Sequence, residues 1–251
     1  MNSFIGWIGG KRQLRNEILS HFPAAGVGRY IEVFGGAGWV LFAKEQVPGQ
    51  MEVYNDLDGD LVNLFRCVKY HCEALQAELD CLPHSRELFL DYLAQKQVRG
   101  LTDLQRAARF LYLVKHSFGS DVRTFATNIK STYNIKNTLS EIQKRLKNVI
   151  IEQRDFEALL KTYDRPDALF YLDPPYVGTE RHYAVQFGEA DHKRLASVLK
   201  GIKGRFILSY GDVTLVRELY DWCNIYSTSR TNNLAGTPKN KTFSEVIIKN
   251  F

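Results

Sequence analysis

The residues with the clearest chemical capacity are Asp173, Pro174, Pro175 and Tyr176, which close the apolar run Ala168-Leu169-Phe170-Tyr171-Leu172. A run of that kind reads as a buried strand. Neither proline can donate a backbone N–H, each fixes φ near about −65°, and each biases the residue before it towards extended backbone. The carbonyls of Asp173 and Pro174 are thereby held in a stiff loop with their lone pairs available. An amine on an aromatic ring is a poor nucleophile because its lone pair is delocalised. A carboxylate accepting one of its protons and a rigid carbonyl accepting the other return electron density to nitrogen, while a tyrosine ring supplies a stacking face. Asp173, Pro174 and Tyr176 are therefore candidate catalytic residues for chemistry on a planar amine. For this motif alone, a turn that merely ends a strand is the plainer alternative.

Three other stretches have ligand-binding character. Trp7-Ile8-Gly9-Gly10-Lys11 places two glycines before a helical pattern, where their amides are expected to be free for a carboxylate. Lys11 adds positive charge and Trp7 an indole face suited to a cation, so an amino acid joined to a sulfonium matches both. Glu32-Val33-Phe34-Gly35-Gly36-Ala37-Gly38 ends a β-rich run, and glycines between strand and helix let a ligand approach the backbone. The dinucleotide spacing G-x-G-x-x-G is absent and no Gly-Lys-Ser/Thr follows, which favours a nucleoside without a phosphate chain. Asn55-Asp56 ends the next strand, where an acid commonly takes ribose hydroxyls. The plainer alternatives are a helix entry with a surface lysine for residues 7–11, a tight turn for the glycines and a charge at a helix N-terminus for Asp56.

The elements needed to position these residues alternate. Strands are expected at 29–34, 51–55, 149–152, 168–173, 205–210, 224–228 and 244–251. Helices are expected at 11–21, 39–45, 58–71, 155–163, 189–200 and 214–221. This order implies a mostly parallel sheet covered on both faces, with ligands at the carboxyl ends of its strands. No helix separates the last two strands, so they should form an antiparallel hairpin at one edge. About ninety residues between the second and third strands carry helical periodicity at 75–82, 87–93 and 104–116. They are too long for a connection and read as an inserted helical subdomain.

With 251 residues, 45% of them hydrophobic and 24% charged, the chain is long enough for a substantial core and ordinary for a soluble globular protein. The opening residues lack the apolar stretch of a signal peptide and no run of 18 apolar residues occurs, so a cytoplasmic protein without a membrane span is expected. Cys67, Cys72, Cys81 and Cys223 show no Cys-x-x-Cys spacing and read as reduced and structural, and no metal site is expected. The net charge of +5 suits a polyanion only weakly.

Taken in order, Trp7-x-Gly-Gly-Lys11, Glu32-x-Phe34-x-Gly36-x-Gly38, Asn55-Asp56 with Asp60-Leu61-Val62-Asn63-Leu64, and Asp173-Pro-Pro-Tyr176 resemble the ordered motifs of Dam-type, D12-class, α-group DNA adenine-N6 methyltransferases. The resemblance covers nearly the whole chain and needs four spaced motifs to coincide. It implies an α/β fold with a Rossmann-like S-adenosylmethionine-dependent methyltransferase sheet, a terminal antiparallel hairpin and an inserted helical subdomain. The catalytic domain would comprise residues 1–70 and 145–251, with 71–144 as the target-recognition insert. It implies S-adenosyl-L-methionine as methyl donor, bound by Trp7, Gly9, Gly10, Lys11, Asp56 and Asp173, with Glu32, Phe34 and Gly36 in the surrounding turn and Asp155-Phe156 cradling the adenine. Asp173, Pro174 and Tyr176 would hold a target adenine flipped from double-stranded DNA, in a bacterial or phage-infected cell. Phe187 and His192 resemble a segment packing beside that pocket, and Arg230–Asn233 with Lys239–Lys241 resemble a loop facing DNA.

The insert departs from the family pattern. Where relatives reading GATC carry a Phe-Asn-x-Pro-x-Gly-like hairpin, this chain has His116-Ser117-Phe118-Gly119-Ser120-Asp121-Val122-Arg123-Thr124-Phe125. Lys115, Phe118, Arg123, Phe125 and Lys130, with Tyr133 and Lys136 beyond, form a basic and aromatic stretch suited to phosphate contacts and a wedge into the base stack. With Arg230, Asn233 and Lys239 these are the expected DNA contacts. A solvated charged face is the alternative for each group. Two rival functions remain at this level: methyl transfer to RNA or to a protein glutamine amide, and a DNA-binding regulator without catalysis. Asp rather than Asn at position 173 and the Trp-x-Gly-Gly-Lys start argue against the first. A complete set of active-site side chains argues against the second.

Overall fold

The computed structural model describes residues 1–7, 9–127, 135–178, 187–231 and 242–251, with backbone alone at 136, 230, 231 and 242. Five strands, β1 (Arg29–Glu32), β2 (Met51–Asn55), β3 (Val149–Glu152), β4 (Ala168–Leu172) and β5 (Arg205–Gly211), run parallel. β6 (Asn224–Thr231) and β7 (Thr242–Lys249) complete one seven-stranded sheet in the order β3-β2-β1-β4-β5-β7-β6. β7 lies antiparallel between β5 and β6, as expected of the terminal pair of strands. Strand order reverses between β1 and β4, the position where a doubly wound sheet opens a crevice for a ligand.

Every residue of β4 is buried, as expected of a central strand covered on both faces. One covering layer contains α1 (Arg15–Ser20), α2 (Trp39–Ala43) and α3 (Gly59–Tyr70). The other contains α8 (Phe156–Tyr163), α9 (Glu189–Lys200) and α10 (Thr214–Leu219). Asp58 caps α3, its side chain accepting from the amides of Asp60 and Leu61.

Between β2 and β3 stand α4 (Cys72–Asp80), α5 (Arg86–Ala94), α6 (Asp103–His116) and α7 (Ile135–Leu146). α6 carries a complete capping box at Thr102 and Gln105. α7 presents Ile135, Leu139, Ile142 and Leu146 on one buried stripe. Sequence periodicity anticipates α4 to α6 but not α7, whose apolar stripe is diluted by its lysines and arginine. The buried Arg145 of α7 donates to both oxygens of Glu52 on β2, at 2.6 and 2.9 Å, and to the carbonyl of Leu41 at 2.8 Å. Lys44 supplies a second cation to Glu52 at 3.0 Å.

Candidate active site

Four consecutive strands, β4, β1, β2 and β3, deliver one chemically active end each to a single cavity. Neighbouring strands lie about 4.8 Å apart, so this row extends roughly 14 Å, the shape required for an elongated ligand. Buried Asn55 joins the row: its amide donates to the carbonyls of Val33 at 2.8 Å and Arg154 at 3.1 Å, and its side-chain oxygen accepts from the Arg154 amide at 2.9 Å. The ends of β1, β2 and β3 are thus held in fixed relation.

At the β4 end, Asp173 Oδ1 lies 2.7 Å from the Lys11 ammonium and accepts from Ser209 Oγ at 3.1 Å. Among the described residues no hydrogen bond reaches its Oδ2. Burial lifts the Asp173 carboxyl above the ordinary range, and the neighbouring lysine opposes that rise. Lys11 also donates to the Gly9 carbonyl at 2.9 Å and lies 4.8 Å from the centre of the Tyr176 ring. The Tyr176 hydroxyl donates to Glu245 Oε2 at 2.7 Å, and its ring sits 5.7 Å from that of Tyr210. Burial first, then Asp173 and Glu245, hold the Tyr176 phenol far above its usual titration range, so it stays neutral.

At the β1 end, Gly36 adopts φ +49°, where an added Cβ would fall 2.9 Å from the Trp7 ring. Its amide donates to Asp56 Oδ2 at 2.8 Å, while Asp56 Oδ1 accepts from the Asp58 amide at 2.9 Å. Burial pushes Asp56 up to about 6 despite these bonds. Glu32 is buried, accepts from the Tyr30 hydroxyl at 2.9 Å, and is pushed up to about 8, chiefly by burial. At the β3 end, Asp155 caps α8 through the Glu157 amide at 3.0 Å, and Phe156 packs against Phe34 and Phe187.

The eleven residues expected to contact a cofactor, Trp7, Gly9, Gly10, Lys11, Glu32, Phe34, Gly36, Asp56, Asp155, Phe156 and Asp173, all line this cavity. Pro175 lines it as well, whereas buried Pro174 and Tyr176, which contacts Glu245 and Tyr210, are not among its lining residues. The glycine pair at the start departs from expectation. α1 begins at Arg15 rather than at residue 11, and the Gly10 amide is engaged by the Trp7 carbonyl at 3.1 Å, so it does not stand free at a helix start. Phe187 and His192 pack edge to face 4.9 Å apart, and His192 Nδ1 hydrogen-bonds the Tyr210 hydroxyl.

Ser209, Tyr210, Glu245 and Arg194 escape the sequence reading. The first two end β5 and could have been found by the rule that located Asp173. Glu245 is a lone acid opening the apolar run Val246-Ile247-Ile248, which is a signal in retrospect.

In the insert, the Phe118 amide donates to Thr124 O and the Ala126 amide to His116 O, each at 2.7 Å, closing a small hairpin. Phe118 and Arg123 are exposed at its tip and Lys115 is partly exposed. Phe125 turns inward against His84 and Phe89, with Arg86 over its ring, so it serves the insert's own packing and is unsuited to a wedge. Lys130, Tyr133, Asn233, Lys239 and the side chains of Lys136 and Arg230 lie outside the described residues. Among the described residues, no group of three or more His, Cys, Asp or Glu is arranged to hold a metal, and no helix is long and apolar enough to cross a membrane.

Comparison with known proteins gives the family. The chain is 28% identical to the "Type II methyltransferase M1.LlaDCHI" of Lactococcus lactis subsp. cremoris, over 100% of this chain and 96% of that protein. It is 28% identical to the "Type II methyltransferase M.CviBI" of Paramecium bursaria Chlorella virus NC1A, over 88% and 87% of the two chains. It is 26% identical to the "DNA adenine methylase" of Haemophilus influenzae, over 99% and 93%. The family model described as D12 class N6 adenine-specific DNA methyltransferase matches residues 7–234, and the chain belongs to that family.

Proposed function

We propose that this chain is a site-specific DNA methyltransferase that transfers a methyl group from S-adenosyl-L-methionine to the N6 amine of an adenine flipped out of double-stranded DNA. The observation that carries the reading is the Asp173 carboxylate, fixed through Oδ1 by Lys11 and Ser209, with Oδ2 left for an amine at the carboxyl edge of the sheet. The cavity suits such a donor. Six carboxyl groups and three cationic side chains line it, and even with Glu32 protonated the acids outnumber the cations, a balance that favours a sulfonium over a phosphate chain. Asp56 would take the ribose hydroxyls, Asp155 and Phe156 the adenine, and Trp7 with Lys11 the amino-acid end. When bound, the donor supplies an electrophilic methyl carbon on a cationic sulfur.

The remaining chemistry belongs to the chain. Asp173 Oδ2 and the Pro174 carbonyl would accept hydrogen bonds from the two amine protons and aim the nitrogen, and once N6 has gained the methyl it sheds one proton to solvent by way of Asp173 Oδ2; the prolines keep both acceptors from relaxing away. Positive charge that grows on N6 is stabilised by Asp173 and by Glu245 behind it. Neutral Tyr176, held by Glu245, offers its ring to the base, offsetting an unstacking cost of roughly a few kcal/mol. In the insert, residues 71–144, Lys115 and Arg123 would meet phosphates, and exposed Phe118 is the candidate wedge. Incubation with methyl-labelled cofactor and separate DNA, RNA and protein pools tests the reading. Label in DNA is expected, and label in protein or RNA alone would overturn it.

A further inference from the structure

Arg194 of α9 lies 39 residues from Asp155 in sequence yet forks onto its carboxylate, Nη1 to Oδ1 and Nη2 to Oδ2, both at 2.9 Å. Nη1 also reaches Glu157 Oε2 at 3.2 Å and Nη2 reaches Asp191 Oδ1 at 3.1 Å. The same guanidinium lies over the Phe156 ring, 4.0 Å from its centroid. Arg194, Asp155, Phe156 and Asp191 all line the cavity at its β3 end, the end farthest in the row from Asp173. A planar fork that bonds a carboxylate edge-on and stacks on the adjacent ring fixes both side chains at once, which a lysine cannot do.

The hydrogen-bond inventory indicates what that fixation achieves. A carboxylate oxygen has two acceptor positions. At Asp155, Oδ1 accepts from Arg194 and the Glu157 amide, while Oδ2 accepts from Arg194. The Ala158 amide at the start of the helix also favours the ionised carboxyl, and of the two oxygens Oδ2 carries the fewer side-chain and cap bonds, one against two, beside a ring that also meets Phe34 and Phe187. A flat ligand placed against Phe156 would meet one oriented acceptor at its edge. With its anionic partner, Arg194 can orient that acceptor without presenting an uncompensated cation to the ligand.

We propose that Arg194 is a positioning residue that makes the cavity selective for a 6-aminopurine donor, by fixing the Asp155 carboxylate as acceptor for the exocyclic amine while backing the Phe156 ring. This inference deepens the proposed function and rests on its cofactor reading. Arg194 sits on the helix that follows the Asp173–Tyr176 segment, so it also joins the nucleoside end of the site to the catalytic side of the fold.

The test is calorimetric binding of two ligands that undergo no reaction: S-adenosylhomocysteine and its purine analogue lacking the 6-amino group. The wild-type chain should prefer the amino ligand. Arg194→Gln should weaken S-adenosylhomocysteine about tenfold while leaving the deamino analogue within about twofold, because a site built to hydrogen-bond a group discriminates only while its acceptor stays oriented. Arg194→Lys retains charge and most of the stem, so it keeps the test available if the glutamine variant folds poorly, and it should show the same selective loss. Equal weakening of both ligands would reduce Arg194 to packing and overturn the inference, as would unchanged affinity for both. Equal wild-type affinity for the two ligands would overturn it and leave the cofactor reading standing. A wild-type chain that binds neither ligand would overturn the cofactor reading and this inference with it.

Discussion

The ammonium of Lys11, itself buried, lies 2.7 Å from Oδ1 of the partly exposed Asp173. Glu245 Oε2 lies 4.0 Å from the same ammonium, so this cation reaches two carboxyl groups. Burial drives the Asp173 carboxyl upward and Lys11 restrains it. Replacing Lys11 by Met removes the restraint, and the Asp173 value rises further. Activity requires the ionised acid, so the acidic limb of the kcat profile should move to higher pH, by about 1 unit or more. Measurement at saturating cofactor separates this from weakened binding, and a limb that stays in place would contradict the assignment.

Tyr176 and Glu245 should behave as one unit. The phenol donates to Glu245 Oε2 at 2.7 Å, and the Tyr176 ring also packs over the backbone of Gly211. Tyr176→Phe and Glu245→Gln should each lower kcat. The double variant should lose less than the sum of the two, with a coupling of roughly 0.5–3 kcal/mol. Strict additivity would mean that Glu245 does not act through the phenol.

Asp56 provides a pH dependence in binding. Its carboxyl is raised to about 6, first by burial, and ribose hydroxyls donate only to acceptors, so ligand binding favours the ionised form. Affinity for S-adenosylhomocysteine should be level above pH of about 6 and fall by up to about tenfold per pH unit below it. Asp56→Asn should weaken binding and remove the step, as read by calorimetry across that range. The effect on folding has the opposite sign from that of a salt-bridged acid. Between its ordinary value and about 6 the native state binds more protons than the unfolded chain, so the Asp56 contribution to stability declines as pH rises through that window.

Stability should depend on the clasp between α7 and the sheet. Arg145→Ala leaves the buried Glu52 with Lys44 as its remaining cation, and should cost about 3–5 kcal/mol in denaturant unfolding. Replacing Arg145 and Glu52 together by apolar residues of similar volume should recover part of that loss. A change below about 1 kcal/mol for Arg145→Ala would show that solvent reaches the pair.

The legible part of this fold is the part written locally. Asp173 and Asp56 are legible because each ends a short strand, and a parallel sheet brings such ends together. The edge hairpin is legible because the polar stretch 229–242 carries no helical pattern in the sequence. Long-range partners left no comparable trace. Tyr176 meets Glu245 across 69 positions and Asp155 meets Arg194 across 39, pairings that exist only once β7 and α9 are in place. α7 was hidden differently: Ile135, Leu139, Ile142 and Leu146 keep a helical stripe, but the basic residues around them invite a reading as a nucleic-acid contact. Phe125 was likewise placed by its neighbours in sequence, whereas tertiary packing turned it towards His84 and Phe89.

The account stands on the Asp173 carboxylate acting on a planar amine in DNA. Its most direct test is duplex DNA incubated with methyl-labelled S-adenosylmethionine and digested to nucleosides, for the wild-type chain and for Asp173→Ala. The account predicts label in N6-methyladenine for the wild type, and for the variant a rate lower by about a hundredfold or more with DNA affinity within about twofold. Label on a cytosine ring carbon, or near-wild-type turnover by Asp173→Ala, would contradict it.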